Sequence, residues 1–316
     1  MPPPSKRSKL ARSTERALAT SQRLPRHPPT SRPTRTNNHA QDHAQAQAHA
    51  RAGEFDVIIL SPPCGSWSRA NWANEDGPAP CRSRRHPWGF PNLLGHQRRR
   101  AESGNEFVHF SIRAVRTAQN AKRRGFRVMS LMEHPEDLGR IRNGCATCVK
   151  HGSVPASTWQ LPEVRGAYGE FESVSVAGHQ CQFPGVDRSK PTRLHSDIVA
   201  MGEFGHIGWP SFDSRDNYLG PLPRHCGHDH RQAMIGRSKS GGFNTSPTAA
   251  YPAGMCAFIA IRIFNASFCL GYKDDLLVFS HYSLKRLDRF FAADKKRHNH
   301  LWKHHNIAKR KNRKRS

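Results

Sequence analysis

The sequence predicts an α/β domain with a mainly parallel sheet, flanked by disordered basic ends, and three runs of residues predict it. Residues 55–60 (FDVIIL) are almost continuously apolar and rich in β-branched side chains, the pattern of a strand covered on both faces. Residues 102–124 place Phe107, Phe110, Ala114, Val115 and Ala118 at helical spacing, with Arg113, Arg116, Lys122, Arg123 and Arg124 at other positions. Residues 126–132 then form a second strand-like run. Strand, helix, strand is the order of two parallel strands joined by a right-handed crossover.

Taken along the chain, residues 1–53 hold ten Lys or Arg and only Glu15 and Asp42 as acids, with many prolines and the low-complexity run AQDHAQAQAHARA. No apolar periodicity offsets the entropy of ordering them, so this segment is expected to be disordered. Asp56 marks the start of the first strand. Pro62 and Pro63 then disfavour both helix and further ladder pairing, so the chain turns outward at the strand's carboxyl end with Cys64 at its edge. Residues 73–100 carry Pro78, Pro80, Pro87, Gly89 and Pro91 among Arg82, Arg84, Arg85 and Arg98 to Arg100, which reads as an inserted, mobile loop. Gly125 stops the helix, and the second strand delivers Glu133 to the same sheet edge as Cys64. Between about residues 202 and 231, Trp209, Phe212, Arg215 and Tyr218 suit a small satellite core as readily as contact with bases. Residues 251–263 read as a closing helix with Pro252 in its first turn and Met255, Phe258 and Ile259 inward. The boundaries are therefore a basic segment 1–53, a domain 54–265 and a basic tail 266–316.

Three motifs carry chemistry. In SPPCGSWS (61–68) the amides and hydroxyls of Gly65, Ser66 and Ser68 surround the Cys64 sulfur and favour thiolate. MEHPEDLG (132–139) presents Glu133 after a strand, and HQCQFPGVDRSKPTRLHSD (179–197) presents Arg188, Lys190 and Arg193. In this order they resemble the Pro-Cys loop, the Glu-Asn/His-Pro motif and the Gln/Arg block of DNA cytosine-5 methyltransferases, phage-like and mobile-element members in particular. The resemblance covers roughly residues 54–260. It implies a partial Rossmann-like methyltransferase domain that transfers a methyl group from S-adenosylmethionine to cytosine.

By that resemblance Cys64 is the nucleophile that adds to cytosine carbon 6, which makes carbon 5 able to take the methyl group. Glu133 holds the ring nitrogen and exocyclic amine of a flipped base, and Arg193 holds the base or the Cys loop. Asp56, Pro62 and Ser66 line the cofactor side, while Arg69, Arg82, Arg84, Arg85, Arg188 and Lys190 meet DNA or RNA backbone. The chain departs from the family upstream, where the Phe-x-Gly-x-Gly strand and loop that cradle S-adenosylmethionine are not found. It is thus expected to be a fragment, a decayed copy, or half of a split enzyme whose partner chain supplies the cofactor half. The alternative is a noncatalytic nucleic-acid-binding protein on the same scaffold.

Composition sets the remaining bounds. A net charge of +26, with ten Lys or Arg and no acid in residues 295–316, favours polyanionic partners. The terminal KRKNRKRS suits nuclear import, and the Arg, Ser and Ala of the N-terminus keep an organelle transit peptide as the lesser alternative. Eight cysteines with no secretory hydrophobic region argue for a reducing compartment rather than a disulfide framework. No apolar run approaches the roughly 20 residues that span a bilayer, so no membrane partner is expected. No GxxxxGKS or GxSxG motif is present. Cys226, His228 and His230 offer thiolate and imidazole, with Cys145 and Cys148 to complete a set, but the spacing matches no compact finger and no metal is expected.

Overall fold

A computed structural model describes residues 38–73, 77–141, 154–230, 234, 236 and 241–269. Its centre is a five-stranded sheet built from β1 (Val57–Leu60), β2 (Met129–Pro135), β3 (Val174–His179), β4 (Pro191–Ser196) and β5 (His206–Ile207), in the order β1-β2-β4-β3-β5. β1 and β2 are parallel, with Leu60 opposite Met132, as the strand–helix–strand pattern predicts. The other three pairings are antiparallel, which corrects the expectation of a mainly parallel sheet. The connections explain it. A parallel step needs a long crossover, and only the β1-to-β2 link contains one, α3 (Gly95–Arg123); residues 180–190 return β3 directly onto β4 as an antiparallel neighbour.

Both faces of the sheet are covered. On one, Val108, Ile112 and Val115 of α3 pack with Leu60, Met132, Trp67 and Trp159. On the other, Met255, Phe258 and Ile259 of the closing helix, Ala253–Cys269, join Met129, Leu131, Val176, Leu194 and Phe183. These three inward positions are those predicted, and burying each is worth about 1.5–3 kcal/mol. Cover is incomplete over β1. It pairs with β2 alone, and Ile59 is 52% exposed, so the fully buried first strand expected from FDVIIL is instead an edge strand among the described residues.

Further differences follow from local chemistry. Asn38–Ala52 forms α1 where a structureless segment was expected, since Ala, Gln and Arg propagate a helix well and His43 stacks on Phe110 at 4.1 Å. α3 begins at Gly95 rather than residue 102, and Arg98 pairs with Glu102 one turn on at 2.8 Å. The described residues of the expected mobile loop before it, 77–94, are packed onto the body. Cys81 and Arg82 are buried, Ser83 bridges to Pro155, and Arg82 lies 3.8 Å over the Trp67 ring. Two short helices, α2 (Ala70–Ala73) and α4 (Pro162–Arg165), make α5 the closing helix in chain order. A two-stranded sheet of β6 (Ser211–Phe212) and β7 (Tyr218–Gly220) lies beyond β5 in sequence.

Candidate active site

The parallel register of β1 and β2 decides where the chemistry sits. Leu60 pairs with Met132, so Ser61, the first residue after β1, comes beside Glu133, which is still within β2 and paired with Leu194 of β4. Ser61 Oγ donates to Glu133 Oε2 at 2.9 Å, and Tyr251, at the entrance to α5, donates to the same oxygen at 2.7 Å. Glu133 is buried, and its second oxygen, Oε1, has no hydrogen-bond partner. A buried acceptor left open costs free energy unless something fills it, which makes Oε1 the natural point for an incoming donor.

Cys64 lies on the turn that follows β1, its carbonyl accepting from Trp67 N at 2.9 Å. The sulfur is half-buried and lies within the electrostatic reach of both Lys190 and Glu133. Burial is the largest influence on it and pushes the thiol above its ordinary value. The Glu133 charge pushes the same way, while Lys190 and a backbone N–H oppose. Lys190 Nζ is placed by Thr248 O at 2.9 Å and lies 5.8 Å from the Tyr251 ring centroid. The centre is therefore Cys64, Glu133, Tyr251, Ser61 and Lys190. Burial and the Glu133 charge keep the Tyr251 hydroxyl protonated, so it donates.

The other predicted site residues fall elsewhere. Successive strand residues face opposite sides. Glu133 is opposite Leu194, whereas Arg193 is opposite His134, so Arg193 points away from the Cys64 centre. There its guanidinium grips Glu136 through two bonds of 2.6 and 2.9 Å and donates to Ser175 Oγ at 2.7 Å, fully buried. The fold thus places Arg193, expected to hold the base or the Cys loop, in a buried ion pair rather than beside Cys64, satisfied by the carboxylate that charge burial requires.

Ser66 is likewise turned inward. Its hydroxyl accepts from Arg82 at 2.9 Å beside Gly104 of α3, where any Cβ would collide with it. Pro62 is buried and Asp56 is exposed at the start of β1. Together these three make no cradle for a nucleoside and a methionine carboxylate, and no glycine-rich phosphate-type loop precedes β1 among the described residues. Among the described residues, Asp56, Pro62 and Ser66 do not fit S-adenosylmethionine.

Of the predicted nucleic-acid contacts, Arg82 is buried, donating to Pro87 O, Ala101 O and Asn105 Oδ1, each at 2.8 Å. Arg84 pairs with Asp216 and lies 4.1 Å over Phe212. Arg69 donates to the Gly139 and Arg140 carbonyls, and Arg188 to that of Asn244. All four make hydrogen bonds or ion pairs that tie loops of the chain together. Arg85 is exposed, and Lys190 belongs to the Cys64 centre. Trp209 packs against the main core beneath α3, beside Trp159 and 4.7 Å from His195, and Tyr218 donates to Glu136 at 2.9 Å. The KRKNRKRS tail, Cys145 and Cys148 lie outside the described residues.

No family model, no curated protein and no solved structure matches the chain.

Proposed function

We propose that the Cys64–Glu133 centre activates the pyrimidine ring of an extruded cytosine, the first half of a DNA cytosine-5 methyltransferase reaction on a partial Rossmann-like scaffold. The observation that carries this reading is the open Oε1 of buried Glu133, held by Ser61 and Tyr251 through its other oxygen, in the electrostatic field of a strand-end thiol. A cytosine edge offers the complementary groups, a ring nitrogen and an exocyclic amine.

The two groups cooperate through one proton. The Glu133 charge raises the Cys64 thiol, so neutralising Glu133 favours loss of the Cys64 proton. In this step the Cys64 proton passes to Glu133 and from it to ring nitrogen 3, while the sulfur bonds to carbon 6 and the carbon 5–carbon 6 double bond opens, leaving carbon 5 enamine-like. Lys190 stabilises the thiolate. The methyl donor is not part of this step. Its cradle belongs to elements that would join on the free side of β1, next to Cys64, in a partner chain or an added segment.

The test is deuterium exchange at carbon 5 of cytosine in duplex DNA, which follows thiolate addition and needs no methyl donor. Exchange that is lost in Cys64→Ala supports the reading. A noncatalytic nucleic-acid-binding protein is the second reading, favoured by the net charge of +26 and the lack of a cofactor cradle. It predicts salt-sensitive DNA binding with no exchange by the wild-type chain, and no 5-fluorocytosine adduct when S-adenosylmethionine is added.

A further inference from the structure

We propose that Cys181, Cys226, His228 and His230 form a tetrahedral, structural Zn²⁺ site that fastens the loop after β7 to the end of β3. One ligand atom from each of the four residues lies within 4.8 Å of all the others. With bonds of roughly 2.3 Å to sulfur and 2.0–2.1 Å to nitrogen, the edges of such a tetrahedron measure about 3.4–3.8 Å. Here His228 Nδ1 is 3.4 Å from Cys181 Sγ, and His230 Nε2 is 2.9 Å from Cys226 Sγ. Small outward movements accommodate an ion at the centre.

The surroundings favour metal over a chance cluster. His230 Nδ1 lies 3.0 Å from the Asp187 carbonyl, which can only accept, so Nδ1 carries the hydrogen and Nε2 turns its lone pair toward Cys226. That outer contact is the usual device for fixing a ligating imidazole. His179 adds a second brace, reaching Ser189 Oγ at 2.9 Å and the Pro223 carbonyl at 3.2 Å. The two sulfurs are buried and the two imidazoles half-buried, and two thiolates with two imidazoles leave no open position, the pattern of a structural zinc centre. Such a site departs from the expectation, drawn from sequence spacing, that no metal is held. Sequence spacing hid it, because Cys181 stands 45 positions before Cys226 and only the fold brings them together.

The ion would also steady the Cys64 centre from outside it. Cys181 sits on the turn Gln180–Gln182, and Gln180 N donates to Lys190 O at 3.0 Å, so a clamp on this turn and on Asp187 fixes the loop that carries Lys190.

The experiment is elemental analysis of the full chain purified under reducing conditions, with Co²⁺ titration of the same chain after zinc removal. About one zinc per chain is expected, together with the sulfur-to-cobalt charge-transfer and strong visible bands of a tetrahedral site. Cys181→Ser and Cys226→Ser should each halve the charge-transfer intensity, and Cys256→Ser should leave it unchanged. The titration of the unsubstituted chain does not depend on any variant folding. Absence of both stoichiometric zinc and the cobalt spectrum overturns the proposal. So does a Cys181–Cys226 disulfide whose reduced form takes up no metal, or zinc lost with Cys145→Ser or Cys148→Ser but kept with Cys181→Ser.

Discussion

The Glu133 charge bears on the Cys64 thiol, and this gives the centre a measurable pH signature. Alkylation of Cys64, followed by peptide mass mapping, should show a midpoint above the ordinary thiol value of about 8.5. Glu133→Gln should lower that midpoint and Lys190→Met raise it, because one removes a charge that opposes thiolate and the other a charge that favours it. In the exchange assay Glu133→Gln should cost on the order of 10²–10⁴-fold, the usual scale for a positioned acid. Two buried histidines set acid stability. Burial, with the Lys190 charge for His134 and the Arg193 charge for His195, lowers each to about 3, so both are neutral in the fold while the unfolded chain protonates them near pH 6.5. Stability is then full above pH 6.5 and falls as pH drops toward 3, by about 2 kcal/mol per histidine at pH 5. Denaturant midpoints between pH 7 and 5 should show it, with a shallower decline in His134→Phe. Cys64 and Glu133 were legible in the sequence because each follows an apolar strand run. Tyr251 was not, since its bond to Glu133 spans 118 positions and its local context shows only a helix entrance.

At the scale of elements, β4 shows what composition conceals. Its residues PTRLHS are polar, yet Thr192, Arg193, His195 and Ser196 are all buried. Such a run reads as a functional loop until the fold reveals that Glu136, on the stretch following β2, neutralises Arg193. Removing one partner of this pair, as in Glu136→Ala, should destabilise by about 3–5 kcal/mol, read from chemical denaturation, while Arg193→Met with Glu136→Leu should recover much of the loss. α3 supplies a test with the opposite sign to propensity. Ala is better than Gly by about 1 kcal/mol in a helix interior, but a Cβ at Gly104 meets Ser66 Oγ and comes within 3.0 Å of Arg82 Nη2. Gly104→Ala should therefore lower thermal stability and loosen the turn after Cys64. The period-2 and period-3.6 patterns made β1, α3 and α5 readable. The antiparallel half of the sheet was not, because β4 buries polar residues on either side of Leu194 and β5 is only two residues long.

The whole molecule combines a small α/β body with a large positive charge, and the DNA binding proposed for it should be correspondingly salt-dependent. Each phosphate neutralised contributes about −0.9 to the slope of log K against log salt. Removing residues 295–316, with their ten Lys or Arg, should flatten that slope while leaving carbon-5 exchange per bound complex unchanged. No helix among the described residues is long and apolar enough to cross a membrane. The exposed side of β1 has a consequence for handling the protein as well as for its chemistry. A short hydrophobic strand that has a neighbour on one side only among the described residues is a template for its own copies, and FDVIIL combines β-branched residues with a single charge. At high concentration such chains should associate edge to edge, and Ile59→Lys should raise the concentration at which light scattering first reports assemblies. A cell making this protein would face the same crowding hazard unless that flank is kept occupied.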